Sequence, residues 1–375
     1  MGKNTVYLDY NASAPVKPAV VALMAALLST PGNASSIHFF GREARRHIEK
    51  AREQVANLLD THPNYVTFTS GATEANNAVL KHFAGKRILV SAIEHPSVLE
   101  SAPHAERIPV TPQGIIDVKA FEQMLASGPA PALISVMLVN NETGVIQPIA
   151  ELVQIARRKC PQVFFHTDAV QAAGKIPLSL SGLGVDYLSL SAHKFGGPQG
   201  VGALLCAPGA EPVPYLHGGG QEKRQRAGTE NVAGIAGMGL ACELALQDLP
   251  AFTALANLRD EFEEEIKKTA TELHIFGREA PRVANTSNIG LAGIPANTQL
   301  MNLDLEGIAV SSGSACSSGT VKPSHVLEAM NAGPHLTSHA LRISLGWQTS
   351  AEDIKNLAEA WLKMYSRIQD KIIRD

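Results

Sequence analysis

Three stretches of this chain hold residue types that could work together on one small molecule, and a fourth holds a thiol. In HTDAVQAAG (166–174), Asp168 closes an apolar run. If that run is a strand of a parallel sheet, its carboxyl end faces a ligand crevice; the same aspartate could equally cap a helix. In LSLSAHKFGGPQGVGALL (188–205), a strand pattern delivers Ser191, His193 and Lys194 into a glycine-rich bend, and such glycines suit close approach of backbone to a ligand. A lysine held in a crevice has its charged form disfavoured and can condense with an aldehyde. In FTSGATEANN (68–77), an apolar run ends and Ser-Gly-Ala-Thr opens a helical pattern. Free N–H groups at that start, with the Thr73 hydroxyl, would cradle a phosphate, although Ser-Gly there is as readily a plain cap. Aspartate, a lysine on a later strand and an upstream phosphate cradle together make the kit for pyridoxal phosphate: the lysine meets the aldehyde, the aspartate keeps the pyridine nitrogen protonated, and the cradle holds the phosphate. The fourth stretch, SSGSACSSGTVKPSHVL (311–327), sets Cys316 among serines and glycines before Pro323. That composition predicts a mobile surface loop with a reachable thiol, the plainer alternative being an incidental cysteine.

The elements that must position these residues are visible as apolar runs alternating with helical patterns. YVTFT (65–69), RILVS (87–91), ALISVMLV (132–139), VFFHTD (163–168), VDYLSLS (185–191) and VGALLC (201–206) are continuous rather than alternating. Such runs predict strands buried on both faces, hence an α/β domain with a mainly parallel sheet under helices such as 41–59 and 149–159. After Pro250 the texture changes to a charged helix (258–273), shorter apolar pieces and a closing helix from Ala351. We therefore expect a large α/β domain over 16–250 and a smaller α+β domain formed by 251–375 with 1–15.

Composition narrows the partners. With 375 residues, 45% of them hydrophobic, the chain can bury one large core and a smaller second one. A formal net charge of −3 removes the electrostatic case for nucleic acid as the primary partner and favours a small-molecule substrate. Cys160, Cys206, Cys242 and Cys316 include no C-x-x-C pair and match neither a disulfide framework nor a metal site. The first three fall in helix or strand patterns and read as small core residues. The N-terminus turns polar too soon for a secretory signal, and no apolar run is as long as a membrane span, so the chain reads as soluble and cytoplasmic. His38, His62, His104, His217 and His325 read as structural or exposed.

Taken with the segments YLDYNASAP, GNASSIHFFG, EHPSV, VNNETGVIQPI, GGGQEKRQRAGTENVAGI and LRISLG, these stretches resemble cysteine desulfurases of the NifS/IscS type almost end to end. Those are class V aminotransferase-like enzymes of pyridoxal phosphate fold type I, so the resemblance implies a seven-stranded, mainly parallel sheet. It also implies that Lys194 carries the pyridoxal phosphate, that Asp168 pairs with the pyridine nitrogen, and that Gln171 and Asn141 lie at the phenolic oxygen. His95 would stack on the ring and shuttle protons. Gly71, Ala72, Thr73, Ser191 and His193 would hold the phosphate, with Thr229 reaching it from a second subunit of a homodimer. Arg342 would clamp the carboxylate of L-cysteine, since its fork binds a carboxylate bidentately. Cys316 would accept the sulfur as a persulfide, for delivery to an acceptor such as an iron–sulfur scaffold protein.

Two departures stand out. Ala34 replaces a turn-fixing proline usual in the family, and the chain stops soon after its last helix, where IscS-type enzymes carry a longer tail used in scaffold docking. A NifS-like or other dedicated sulfur donor therefore fits at least as well. The competing readings are a selenocysteine lyase or another class V enzyme of the same fold, and a non-catalytic sulfur-carrier or assembly partner; the intact set of Lys194, Asp168, His95, Cys316 and Arg342 argues against the last.

Overall fold

The computed structural model of the chain describes residues 5–312 and 323–374. Twelve strands, labelled in chain order, fall into three sheets. β1 is Val6–Tyr7, β2 Val66–Thr69, β3 Ile88–Ser91, β4 Glu106–Ile108, β5 Leu133–Ser135 and β6 Phe164–Asp168. They are followed by β7 Tyr187–Ser191, β8 Gly202–Cys206, β9 His274–Ile275, β10 Thr286–Gly290, β11 Ile308–Ala309 and β12 Ala340–Ser344.

The main sheet has seven strands in the order β2-β8-β7-β6-β5-β3-β4. All its strands run in one direction except β8, which is antiparallel to both neighbours. Its central members are buried along their whole length, as continuous runs of Leu, Ile, Val and Phe require when helices cover both faces. The helix Phe39–Leu58 turns Ala44, Ile48, Ala51 and Val55 inward and most of its charged residues outward, Arg52 being the buried exception, paired with Glu222, and Ile149–Lys159 turns its arginines and lysine outward in the same way.

All six apolar runs become strands, with trimmed ends. ALISVMLV shows the reason most clearly: its pairing with β3 stops at Ser135, and the backbone N–H of Met137 donates instead to the buried Glu94 carboxylate at 2.5 Å, while single bonds from Val136 and Leu138 still reach β6. The seventh strand, β4, is a sheet edge with two of three residues exposed and gives no apolar run. The charged helix spans Leu249–Thr269 and so begins earlier than its charges, because the proline in its first turn is tolerated there.

A second apolar cluster gathers Val6 and Leu8 with Leu255, Phe262, Ile343, Trp361 and their neighbours. β1 pairs in parallel with β11, and Asp9 bridges to Ser344, so the N-terminal segment is sewn into the C-terminal part of the chain. From there it runs across the end of the main sheet, which brings Asn11–Ser13 beside the ends of β6 and β7. Among the described residues, no single helix is long and apolar enough to cross a membrane.

Candidate active site

β6 and β7 lie side by side in parallel and end at one cavity of about 540 Å³. Asp168 closes β6, and Lys194 sits in the short turn Ala192–Lys194 that follows β7. Gly71, Ala72, Thr73, His95, Asn141, Asp168, Gln171, Ser191, His193, Lys194 and Arg342 all line this cavity. Of the remaining expected residues, Thr229 is exposed and away from the lining of its own chain's cavity. Cys316 lies outside the described residues, but Ser311, a few positions before it, lines the cavity and exchanges both backbone hydrogen bonds with Arg342.

At the base of the cavity the Asp168 carboxylate accepts from Asn76 Nδ2 at 2.8 Å and from the Val170 N–H at 3.0 Å. Two donors hold the buried carboxyl group in a fixed orientation. The Lys194 amine donates to the carbonyls of Asn11 and Ala12 at 2.7 and 2.9 Å. Burial, helped by the nearby Arg342 charge and opposed by Asp168 and Asp9, lowers its pKa to about 8. Burial likewise takes the His193 imidazole down to about 4, so this ring is neutral beside the lysine.

His95 heads the short helix Pro96–Leu99, and its Nδ1 accepts from the Ser97 N–H at 3.1 Å. That leaves Nε2 as the nitrogen carrying the hydrogen of the neutral ring. Burial lowers its pKa, against a raising pull from Asp168. The turn before it is anchored by Glu94, whose burial pushes its carboxyl well up, and by His325, whose Nε2 lies 2.9 Å from the Glu94 carbonyl. His38 and His62 cap helical turns, and His104 and His217 are exposed.

Arg342 projects from β12 with three directed contacts' worth of donors. Nη2 donates to Asp9 at 2.6 Å and Nη1 to the Asn141 carbonyl at 3.2 Å, while the buried Nε has no acceptor among the described residues. The Gln171 amide donates from Nε2 to the Asn11 carbonyl at 2.9 Å. Cys160 and Cys242 are buried free thiols; burial pushes the Cys242 thiol up, and that of Cys206 to about 12.

These donors fit pyridoxal phosphate. Gly71 starts the helix Ala72–His82 without a side-chain cap, leaving the first N–H groups facing the cavity beside Thr73, Ser191 and His193, a donor set for a phosphate. That start is packed so closely on β8 that a Cβ on Gly202 would lie 2.6 Å from the Gly71 Cα. Lys194 and Asp168 line the same cavity as this donor set, as an aldehyde and a ring nitrogen on one phosphorylated molecule require. Sequence reasoning assigned no role to Asp9, Asn11 or Asn76, which complete the site; the first two lie within the recognised YLDYNASAP stretch, and the third one turn into the helix after the cradle.

A mainly parallel sheet delivering an aspartate and a lysine to one cavity floored by an uncapped helix start defines a pyridoxal phosphate enzyme of fold type I. The model of the class V aminotransferases matches residues 6–357. The cysteine desulfurase IscS of Dictyoglomus turgidum is 44% identical over 94% of this chain and 92% of its own length. A NifS-like protein of Rickettsia africae superposes with a TM-score of 0.90 at 35% identity, covering 97% of this chain and 100% of that one. SspA, solved in complex with cysteine, superposes with a TM-score of 0.79 at 31% identity, covering 91% of this chain and 99% of that one. The chain belongs to the class V aminotransferase family, among its pyridoxal phosphate-dependent cysteine desulfurases.

Proposed function

We propose that the protein takes sulfur from L-cysteine, releases L-alanine and holds the sulfur as a persulfide on Cys316 for an acceptor. The observation that carries this reading is the convergence of Lys194, Asp168, His95 and Arg342 on one cavity, with the Arg342 backbone paired to Ser311 at the start of the cysteine-bearing stretch. Bound pyridoxal phosphate supplies an aldehyde for the substrate's amine and a ring that takes up electrons when bonds at the substrate's carbons break.

Each step then falls to a residue suited to it. Lys194, its amine pKa lowered to about 8, would hold the cofactor through its aldehyde until the substrate amine takes its place. Asp168, oriented by Asn76 and the Val170 N–H, pairs with the ring nitrogen and keeps it protonated. Gln171 and Asn141 face the phenolic oxygen, and Gly71, Ala72, Thr73, Ser191 and His193 hold the phosphate. The unpaired Nε–H and adjacent Nη groups of Arg342 receive the carboxylate of L-cysteine. His95 moves protons through Nε2. The Cys316 thiolate bonds to the substrate sulfur as the substrate's C–S bond breaks, so L-cysteine and a thiol become L-alanine and a persulfide with no outside oxidant or reductant. The described cysteines do not compete, since burial raises the Cys206 and Cys242 thiols and Cys160 is enclosed in the core.

The same reading assigns 16–250 to the cofactor-binding unit and 1–15 with 251–375 to the unit that carries Arg342 and Cys316. It places the protein in the cytoplasm as a homodimer, with Thr229 crossing to the partner's phosphate, and takes as acceptor a protein of iron–sulfur cluster or other thio-cofactor assembly. The experiment is incubation with L-cysteine without reductant, followed by peptide mass spectrometry. One extra sulfur on Cys316 with alanine released is the expected result. A yellow protein that yields a keto acid, or alanine without sulfur on Cys316, transfers the assignment to another class V reaction or to a selenocysteine lyase.

A further inference from the structure

A lysine that the reaction does not use lies buried behind the cavity residues Asn11 and Gln171, at the wall of an adjoining cavity of about 360 Å³. Lys175 is 4% exposed, and its Nζ stands 2.7 Å from Asn11 Oδ1 and 2.6 Å from Gln171 Oε1. Its place is fixed by the backbone: Gly174 adopts a φ of +71°, and a Cβ there would lie 2.9 Å from that of Ala245 and 3.1 Å from that of Phe195. Asn11 is in turn saturated from every side. Its Oδ1 also accepts from Asn285 at 3.1 Å, its Nδ2 donates to Thr286 and to the Asn141 carbonyl, and its own carbonyl accepts from Lys194 and Gln171.

The charged ammonium offers these two oxygens only donors, and the neutral form still has the two N–H bonds that both short contacts use. It therefore selects one of the two faces of each amide. The Gln171 oxygen must turn toward Lys175, which leaves Nε2 pointing to Asn11 and the cavity, and the Asn11 oxygen must turn the same way, which leaves its Nδ2 for Asn141 and Thr286. An ordinary surface lysine would do neither; burying one costs desolvation, so the two short contacts have to repay it.

We infer that Lys175 is a positioning residue for the cofactor site, fixing the amide of Gln171 so that its N–H rather than its oxygen faces the bound cofactor's phenolic oxygen. The inference rests on the desulfurase-fold reading above. An N–H donor there stabilises the deprotonated oxygen and lowers the pH at which the cofactor's visible band titrates, while a flipped or mobile amide loses that effect.

The test is a pH titration of the visible band of the loaded enzyme without substrate, in wild type, Lys175→Met, Gln171→Leu and the double variant. Lys175→Met should raise the midpoint by about one pH unit, a tenfold change in proton affinity. If Lys175 acts through Gln171, the double variant should match Gln171→Leu with no further rise. An unmoved midpoint in Lys175→Met, or additive shifts in the double variant, overturns the inference. Should Lys175→Met not fold, the same cycle run with Lys175→Gln, whose amide can turn either an N–H or its oxygen toward Gln171 and so no longer dictates that side chain's orientation, decides between the same two outcomes. A wild type that takes up no pyridoxal phosphate gives no band at all, which is failure of the underlying reading and distinguishable from an unmoved midpoint.

Discussion

The guanidinium fork of Arg342 is already half engaged within the protein. The pair with Asp9 and the Asn141 carbonyl sets the guanidinium plane, and Nε remains open in a site where the side chain is almost wholly enclosed. A lysine could place a charge there but could not hold Asp9 and a substrate carboxylate in one plane. Losing one charge-assisted hydrogen bond costs about 1.5–3 kcal/mol, so Arg342→Lys should raise KM for L-cysteine about tenfold to a hundredfold while kcat changes much less. Steady-state alanine release measures this, and an unchanged KM would remove Arg342 from carboxylate binding. Residues of this kind were legible because a strand end, a glycine bend or a recognised segment advertises them. Asn11, Asn76 and Lys175 were not, because an amide or a lysine in a turn looks like surface until the chain folds back over it.

At the scale of the strand, the centre of the main sheet contains a histidine where the apolar runs lead one to expect only hydrocarbon. His166 on β6 is fully buried, with Nδ1 2.8 Å from Ser135 Oγ on β5 and Nε2 3.0 Å from Ser189 Oγ on β7, so one ring ties three strands together. Burial lowers its pKa from 6.5 to about 3. The folded ring stays neutral while the unfolded one binds a proton below about 6.5, so stability falls as pH drops from about 6.5 toward 3. The slope is about 1.4 kcal/mol per pH unit from this group. His166→Gln cannot titrate, and urea unfolding at pH 7 and pH 5 should show it losing about 2 kcal/mol less than wild type over that interval; equal losses would mean the ring charges within the fold. The six runs that became strands were readable because hydrocarbon on both faces leaves a continuous pattern. β4 was hidden because an edge strand needs no such pattern, and the Glu94 carboxylate that ends the pairing of β5 with β3 acts from a distant turn.

The whole molecule leaves apolar surface that a lone chain has no reason to expose. Ile37 is 91% exposed, Leu28 74% and Phe39 60%, all within the stretch from the first helix to the start of the second. Beside them, Val21, Met24, Ala25 and Leu28 line a shallow depression that shares Ser13 and Gln199 with the active-site cavity. A protein covering this depression would therefore also reach the cavity mouth, and a second copy of the chain would bring Thr229 with it, a residue exposed and idle on its own subunit. Two large apolar side chains buried in such an interface are worth about 1.5–3 kcal/mol each. Replacing both Ile37 and Phe39 by aspartate should thus weaken self-association by at least a hundredfold, with little effect on the fold of one chain because both side chains already face outward. Sedimentation velocity at micromolar concentration should show a dimer for the wild type and monomers for the variant, and on the proposed role of Thr229 the variant should bind pyridoxal phosphate about tenfold more weakly. A variant that remains dimeric would place the interface elsewhere. A monomer that binds the cofactor as tightly as the wild type would return the phosphate to the cradle of one subunit alone.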